Sequence, residues 1–415
     1  MKRTLPIAVA SFALAVSTVS SQAPPSFQVD PLWPKPLPNH WLLGSVTGVA
    51  VDAQDHIWVV HRGYDSMTAR TEIGAATTPK TADECCVPAP PVLEFDQAGN
   101  LVSHWGGPGD KYEWPVSPGG IVVDAKGSVW VTAAGPPEIP GSANAPGRGR
   151  GTASTSAGTS TGGTTTTGAA SASAPAATSA GGTATAGQAG RGAGRGAAAP
   201  PKPVDAHVLK FSRKGEFLLQ IGKAGMPGAA DSTTGLNRPF GVDVDAAGSE
   251  VYVADGYANR RVVVFDAATG AYKRHFTGPG EGFKNLSCAK VAKDGTVYVC
   301  DRGNNRVQAF DKTGKFLKEG VVAPATRGTG SVWDIALSKD PQQRFLFVAD
   351  GHDQKIFVLR RDTLAVVGSF GDGGRYPGTF YSVGSVAVDS KGNLYTGETL
   401  EGKRVQKFIL KGGGR

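Results

Sequence analysis

The chain has 415 residues, 40% hydrophobic and 19% charged, and its 58 Gly and 28 Pro make up about a fifth of the total. That surplus of turn formers excludes an architecture of long helices. The formal charge of +8 resides in Lys2 and Arg3 and in Arg148, Arg150, Arg191, Arg195 and Lys202 of one low-complexity tract, which leaves about +1 elsewhere and argues against a nucleic-acid partner.

Residues 1–23 read as a secretory leader: Met1–Lys2–Arg3, then an apolar stretch from Leu5 to Val19, then small residues up to Ala23. The stretch holds Pro6, Ser11 and Ser17 and falls short of the ~20 apolar residues of a membrane helix. No transmembrane span is therefore expected after cleavage, and the expected destination is the periplasm or the exterior. Export permits disulfides among Cys85, Cys86, Cys288 and Cys300. Cys288 and Cys300 flank one predicted hairpin and are placed to bridge. The neighbours Cys85 and Cys86 either close a ring together or face other partners. Adjacent Cys do not fit the spacing of structural zinc sites.

After the short strand SFQVDPLW (residues 26–33), one phrase recurs six times. The copies begin GVAVDAQDHIWVV at Gly48, GIVVDAKGSVWVT at Gly120, GVDVDAAGSEVYVAD at Gly241, CAKVAKDGTVYVCD at Cys288, DIALSKDPQQRFLFVAD at Asp334 and SVAVDSKGNLYTGE at Ser385. Each holds two β-rich runs of period-two alternation joined by turn residues. A third strand follows in every copy, as in PVLEFD, RVVVFD and RVQKFIL, and a fourth ends the first five copies. The sixth stops after its third strand, so the N-terminal strand supplies the missing edge. That exchange closes a ring and removes both open edges, which a linear solenoid would leave. The predicted fold is all-β: one six-bladed propeller over residues 26–140 and 204–411, four antiparallel strands to a blade, expected as a monomer.

Uninterrupted copies start 46 to 51 residues apart. Two longer intervals carry insertions between second and third strands: Gly63 to Pro90 in blade 1, and residues 141–203 in blade 2. The second insertion is almost wholly Gly, Ala, Ser, Thr and Pro, lacks aromatics, and is expected to stay disordered.

The run D-R-G-N-N-R-V-Q-A-F-D at Asp301–Asp311 resembles the NHL-repeat signature, and the other copies are variants of it. Two loops resemble those of peptidyl-α-hydroxyglycine α-amidating lyases: His61–Arg62–Gly63, and Asp255–Gly256–Tyr257–Ala258–Asn259, which is one residue longer than its repeat equivalent. Bacterial relatives of this layout share phrases such as PVLEFD, WGGPG and VYVADGY. The resemblance implies Arg62 and Tyr257 as catalytic candidates. A guanidinium there could hold a carboxylate bidentately, and a phenol could take the proton of a carbinol collapsing to amide and aldehyde.

In those lyases three His before the inner strands hold zinc on the axis. The six equivalent positions here, the expected channel mouth, are Thr47, Gly119, Phe240, Ser287, Trp333 and Gly384. Gly119, Ser287 and Gly384 match the three ligands, and none can replace an imidazole. The expectation is therefore no metal and no cofactor, with zinc or calcium entering only if the chain is an active lyase. The remaining expected ligand-binding rim is His61, Asp255, Asp301, Arg302, Asp350, His352 and Glu398. For the acids, pairing with their own repeat Arg competes with ligand contact. No nucleophile-elbow, Walker, Rossmann or H-E-x-x-H motif stands in a suitable context.

Three functions follow from these residues. The first is an exported propeller binding a small molecule or peptide, anchored by its carboxylate on Arg62. The second is an active lyase cleaving a hydroxyglycine C–N bond. The third is a structural interaction module at the cell surface. Deleting residues 141–203 should leave folding intact, with expression and Tm unchanged; collapse of either would show that the tract belongs to the folded unit.

Overall fold

The computed structural model describes residues 23–68, 72, 81–135 and 204–412, all within one compact unit. The expected leader, apart from Ala23, and the tract 141–203 lie outside the described residues. The six blades are present, each a four-stranded antiparallel sheet. From the axis outward, blade 1 comprises Val46–Val51, Ile57–His61, Val92–Phe95 and Leu101–Trp105. Blade 2 comprises Pro118–Val123, Val129–Ala133, His207–Phe211 and Phe217–Gly222. Blade 3 is built of Gly241–Val244, Glu250–Asp255, Arg261–Asp266 and Tyr272–Phe276. Blade 4 runs through Leu286–Val291, Val297–Asp301, Arg306–Phe310 and Phe316–Val321. Asp334–Leu337, Phe345–Asp350, Lys355–Arg360 and Val366–Phe370 make blade 5.

Blade 6 supplies Val383–Val388, Leu394–Glu398 and Arg404–Gly412, and its outermost strand is Ser26–Asp30. That strand pairs antiparallel to Arg404–Gly412, with Phe27 opposite Leu410 and Asp30 opposite Lys407. The ring is closed by the first strand, as the strand count requires.

Burial follows strand position. The second strands, flanked in their own sheet and covered on both faces, are buried along nearly their whole length, as in Ile57–His61 and Val297–Asp301. The outermost strands alternate with solvent, as in Leu101–Trp105. Apolar residues of neighbouring blades meet in six seams. Phe345, Phe347 and Val358 of blade 5 pack with Phe380, Val383 and Phe408 of blade 6. Tyr395 and Val405 of blade 6 meet Val46, Val59 and Leu93 of blade 1, completing the circuit. Asp52 and Asp124 fix the first hairpin turns of blades 1 and 2. Each accepts two backbone N–H bonds at 2.9 Å and an indole N–H at 3.0 Å, from Trp58 and Trp130.

One detail of the inner strands differs from the sequence reading. Thr47, Gly119, Ser287 and Gly384 stand inside their strands, where the pairing register jumps. In blade 4, Leu286 faces Asp301 and Cys288 faces Cys300, so Ser287 is the extra residue of a bulge. Phe240 and Trp333 do stand immediately before theirs.

Cys288 and Cys300 are joined across their paired strands, with Cα atoms 4.9 Å apart, and Cys85 is joined to Cys86. Among the described residues no helix is long and apolar enough to cross a membrane.

The closing strand carries a testable energy. The Phe27 ring packs 5.5 Å from Phe347 and 5.1 Å from Phe370, both of blade 5. Phe27→Ala should cost about 2 kcal/mol, less than a fully buried Phe because the ring is half-buried. Urea unfolding would report this as a lower midpoint at unchanged slope. An unmoved midpoint would mean that the N-terminal strand lies outside the cooperative unit.

Candidate functional site

The loops that join second to third strands gather on one face, and most of their acids hold the loops themselves. Asp255 accepts from the Asn237 N–H (2.8 Å) and from Arg261 Nε (3.0 Å). Asp301 accepts from the Lys284 N–H (2.7 Å) and Arg306 Nε (2.7 Å). Glu398 accepts from the Tyr381 N–H (2.9 Å) and Arg404 Nε (2.7 Å). All three carboxylates are fully buried, so each ties an incoming loop to its own second strand and offers nothing to a ligand.

Blades 1 and 2 solve the same problem differently. His61 stands where an acid would, fully buried. Its Nδ1 accepts from the Gly44 and Gly63 N–H groups at 3.0 and 3.1 Å, so its Nε2 donates to the Pro90 carbonyl at 3.0 Å. Burial lowers its pKa to about 4, so the ring is neutral. In blade 2, Asp205 accepts from the Val116, Ser117 and Gly135 N–H groups at 2.8 to 2.9 Å.

What remains forms one cluster around Tyr257. Its half-buried phenol lies 3.5 Å from Arg302 Nη1, and its ring stands edge-on to Phe240 at 5.7 Å, with the Arg238 guanidinium over it at 5.3 Å. Arg62 approaches from blade 1, close enough for Tyr257, Asp205 and Asp65 to support its charge. Burial brings the Arg62 guanidinium down to about 10, and it lowers Arg302 as well. Both Nε–H groups are buried without a hydrogen-bond partner. Arg302 lies 3.6 Å above the Trp333 ring and donates to Thr329 Oγ1 (2.5 Å), which is 2.8 Å from His352 Nε2. Asp350 faces this group from blade 5, and its carboxyl is pushed up to about 6 by burial. Gly330, at φ +87°, lets the strand-entry loop pass the Arg302 carbonyl; a Cβ there would lie 1.6 Å from that oxygen.

The sequence candidates therefore divide. Arg62, Tyr257, Arg302, Asp350, His352, Phe240 and Trp333 belong to one neighbourhood, while His61, Asp255, Asp301 and Glu398 are occupied in holding loops. Thr329 and Arg238 join the cluster without any repeat signal. They lie in entry loops whose lengths differ from copy to copy.

The axis below is a narrow channel lined by Thr47, Phe240, Ser287 and Gly384, with Lys290 and Asp334 farther along the inner strands. Its hydroxyls are spent on backbone: Thr47 Oγ1 on the Val60 carbonyl (3.4 Å), Ser287 Oγ on the Val332 carbonyl (3.1 Å). The Trp333 indole N–H donates to the Gly330 carbonyl (2.8 Å). At Gly119 a Cβ would lie 2.5 Å from Thr132 Oγ1 and 2.8 Å from the Phe240 carbonyl, so no side chain fits without a backbone shift. These residues do not fit a zinc ion. Among the described residues one acid–imidazole group has ligand-like spacing, Asp52, His56 and Glu94, and the Arg213 guanidinium pairs with both of its carboxylates.

A family model of the NHL repeat matches residues 283–310, which hold the three inner strands of blade 4. The chain is 28% identical over 224 residues to NHL repeat-containing protein 3 of Mus musculus, covering 50% of this chain and 60% of that one. It is 32% identical over 111 residues to peptidyl-glycine alpha-amidating monooxygenase B of Xenopus laevis, covering 25% of this chain and 12% of the other. The matched region thus spans less than two thirds of these curated relatives. Among solved structures, one described as a streptogramin B lyase covers 93% of this chain at 10% identity and a TM-score of 0.47. The chain is a six-bladed β-propeller carrying an NHL repeat, with sequence similarity to NHL repeat-containing proteins and to peptidyl-glycine alpha-amidating monooxygenases.

Proposed function

We propose that this is an exported propeller that binds a small molecule or peptide on its loop face through a carboxylate, held between Arg62 and Arg302 beside Tyr257. One observation carries the reading: two guanidinium groups converge on one phenol, and each keeps a buried Nε–H with nothing to donate to. Burial penalises both cations, so a bound anion recovers charge stabilisation that water no longer supplies. Phe240 and Trp333 give the rest of such a ligand an apolar surface.

The similarity to amidating enzymes raises the rival reading of a hydroxyglycine lyase, in which Arg62 and Tyr257 would be the catalytic pair that the sequence resemblance implies. That chemistry relies in the resembled family on a metal polarising the carbinol hydroxyl. The axial residues here supply no ligand set for it, so binding is the part of the activity that the site retains.

Isothermal titration with N-acetylglycine, against N-acetylglycinamide as the neutral control, tests the reading. Binding should require the carboxylate. Arg62→Ala should weaken it by roughly 10- to 100-fold, the loss of one charge-assisted contact of about 1.5–3 kcal/mol. Equal affinity for acid and amide would remove Arg62 as the anchor. Incubation with an N-acyl-α-hydroxyglycine should release no glyoxylate above the uncatalysed rate. Release that slows by orders of magnitude in Arg62→Ala and Tyr257→Phe would establish the lyase instead.

A further inference from the structure

Asp350 departs from the pattern of its repeat. In blades 3, 4 and 6 the acid that ends the second strand faces an Arg across the strand pair: Asp255 with Arg261, Asp301 with Arg306, Glu398 with Arg404. In blade 5 the residue opposite Asp350 is Lys355. Its Nζ lies 3.4 Å from the Gly371 carbonyl, turned to its own blade's outer loop. Asp350 Oδ1 accepts from the His352 and Asp353 N–H groups at 2.9 and 3.0 Å, and Oδ2 is buried with no hydrogen-bond partner. Asp350 is therefore the rim acid whose second oxygen its own repeat leaves unmatched.

The charged groups that act on Asp350 are Arg302, from the facing loop of blade 4, and Asp353 of its own loop. Arg302 favours the ionised carboxylate and Asp353 opposes it, while burial outweighs both. His352, two residues along, is itself held low by burial and by Arg302. Arg302 thus acts on the internal carboxylate of Asp350 and on the place proposed for a ligand carboxylate, and its one positive charge cannot fully neutralise both.

We propose that Asp350 makes the loop-face site proton-linked, so that an anionic ligand binds together with one proton, which Asp350 holds. The inference rests on the carboxylate reading given above. With Asp350 ionised, Arg302 is already partly compensated and a second anion meets a like charge. With Asp350 neutral, the guanidinium is free for the ligand.

The sign follows from linkage. The carboxyl of the free protein titrates at about 6, and a bound anion raises that value further. Below pH 6 Asp350 is protonated and affinity is at its plateau. Above it affinity falls, by up to tenfold per pH unit, until the value of the complex is passed.

Isothermal titration of N-acetylglycine from pH 5 to 8, in buffers of different ionisation enthalpy, measures both affinity and proton uptake; the ligand stays ionised throughout. The wild type should weaken above about pH 6 and take up a measurable fraction of a proton per ligand near pH 7. Asp350→Asn, which keeps an oxygen for the two loop amides, should bind at pH 8 as the wild type does at pH 5, without uptake. His352→Asn, whatever its affinity at pH 5, should keep the pH midpoint of the wild type and its proton uptake. The profile of the wild type persisting in Asp350→Asn, or vanishing in His352→Asn, would overturn the assignment. Wild-type binding that ignores pH would overturn the proton linkage while leaving the carboxylate site in place. Failure of the wild type to bind N-acetylglycine at any pH would remove the site and the linkage together. The proton counts of wild type and His352→Asn need no change at Asp350, so they decide the matter even where Asp350→Asn fails to fold.

Discussion

Each blade of this protein is a sheet with two apolar faces, and it can bury them only against the blades on either side. The six seams are therefore one continuous constraint: Val46 and Leu93 of blade 1 have a partner because Tyr395 and Val405 of blade 6 reach them, and so on round the ring. A ring of this kind has no natural first or last member, yet a chain has two ends. Pairing Ser26–Asp30 with Arg404–Gly412 resolves the conflict by building one blade from both ends of the described chain. Everything at the loop face inherits its geometry from that closure. Arg62, Tyr257, Arg302 and His352 come from four different blades and meet only because the blades share an axis.

The strands were legible for a simple reason. Period-two alternation and turn residues recur six times, so an error in one copy is corrected by the other five. The bulges were not legible, because an extra residue at Thr47 or Ser287 changes register without changing composition. The site was legible in part. Arg62 and Tyr257 were found through the resemblance of their two loops to those of the amidating lyases, and the Tyr257 loop also carries one residue more than its repeat equivalent. Thr329 and Arg238 were hidden in entry loops, where no repeat comparison tells a chemical role from a connection. Nor could the pattern say which acids were free, since Asp255, Asp301 and Asp350 read alike until their partners are seen.

The axis shows how local packing decides chemistry. At Gly119 the space a side chain would need is filled by Thr132 Oγ1, Ala134 and the Phe240 carbonyl. The Thr132 hydroxyl donates to that carbonyl, and the Gly120 N–H donates to it as well at 2.8 Å. Blade 2 is thereby fastened to the entry of blade 3 through the very volume an imidazole would occupy. Restoring one ligand would break that junction, and two more ligands would still be missing at Ser287 and Gly384. The metal function and the inter-blade hydrogen bonding compete for the same place, and here the hydrogen bonding holds it.

The same logic of exclusive partners separates structure from function on the rim. A buried carboxylate is stable when both oxygens are engaged, and the repeat arranges this with one backbone amide and one Arg. Blade 6 meets the requirement even with Glu in place of Asp, because Arg404 still arrives on the matching strand. Blade 5 does not, because a Lys ammonium lacks the planar fork of a guanidinium and Lys355 finds a carbonyl elsewhere. A substitution on the third strand, far from any ligand contact, thus leaves a titratable group beside Arg302. In a repeat protein the informative residue is the one whose partner has changed, since every other copy records what that residue does when nothing further is asked of it.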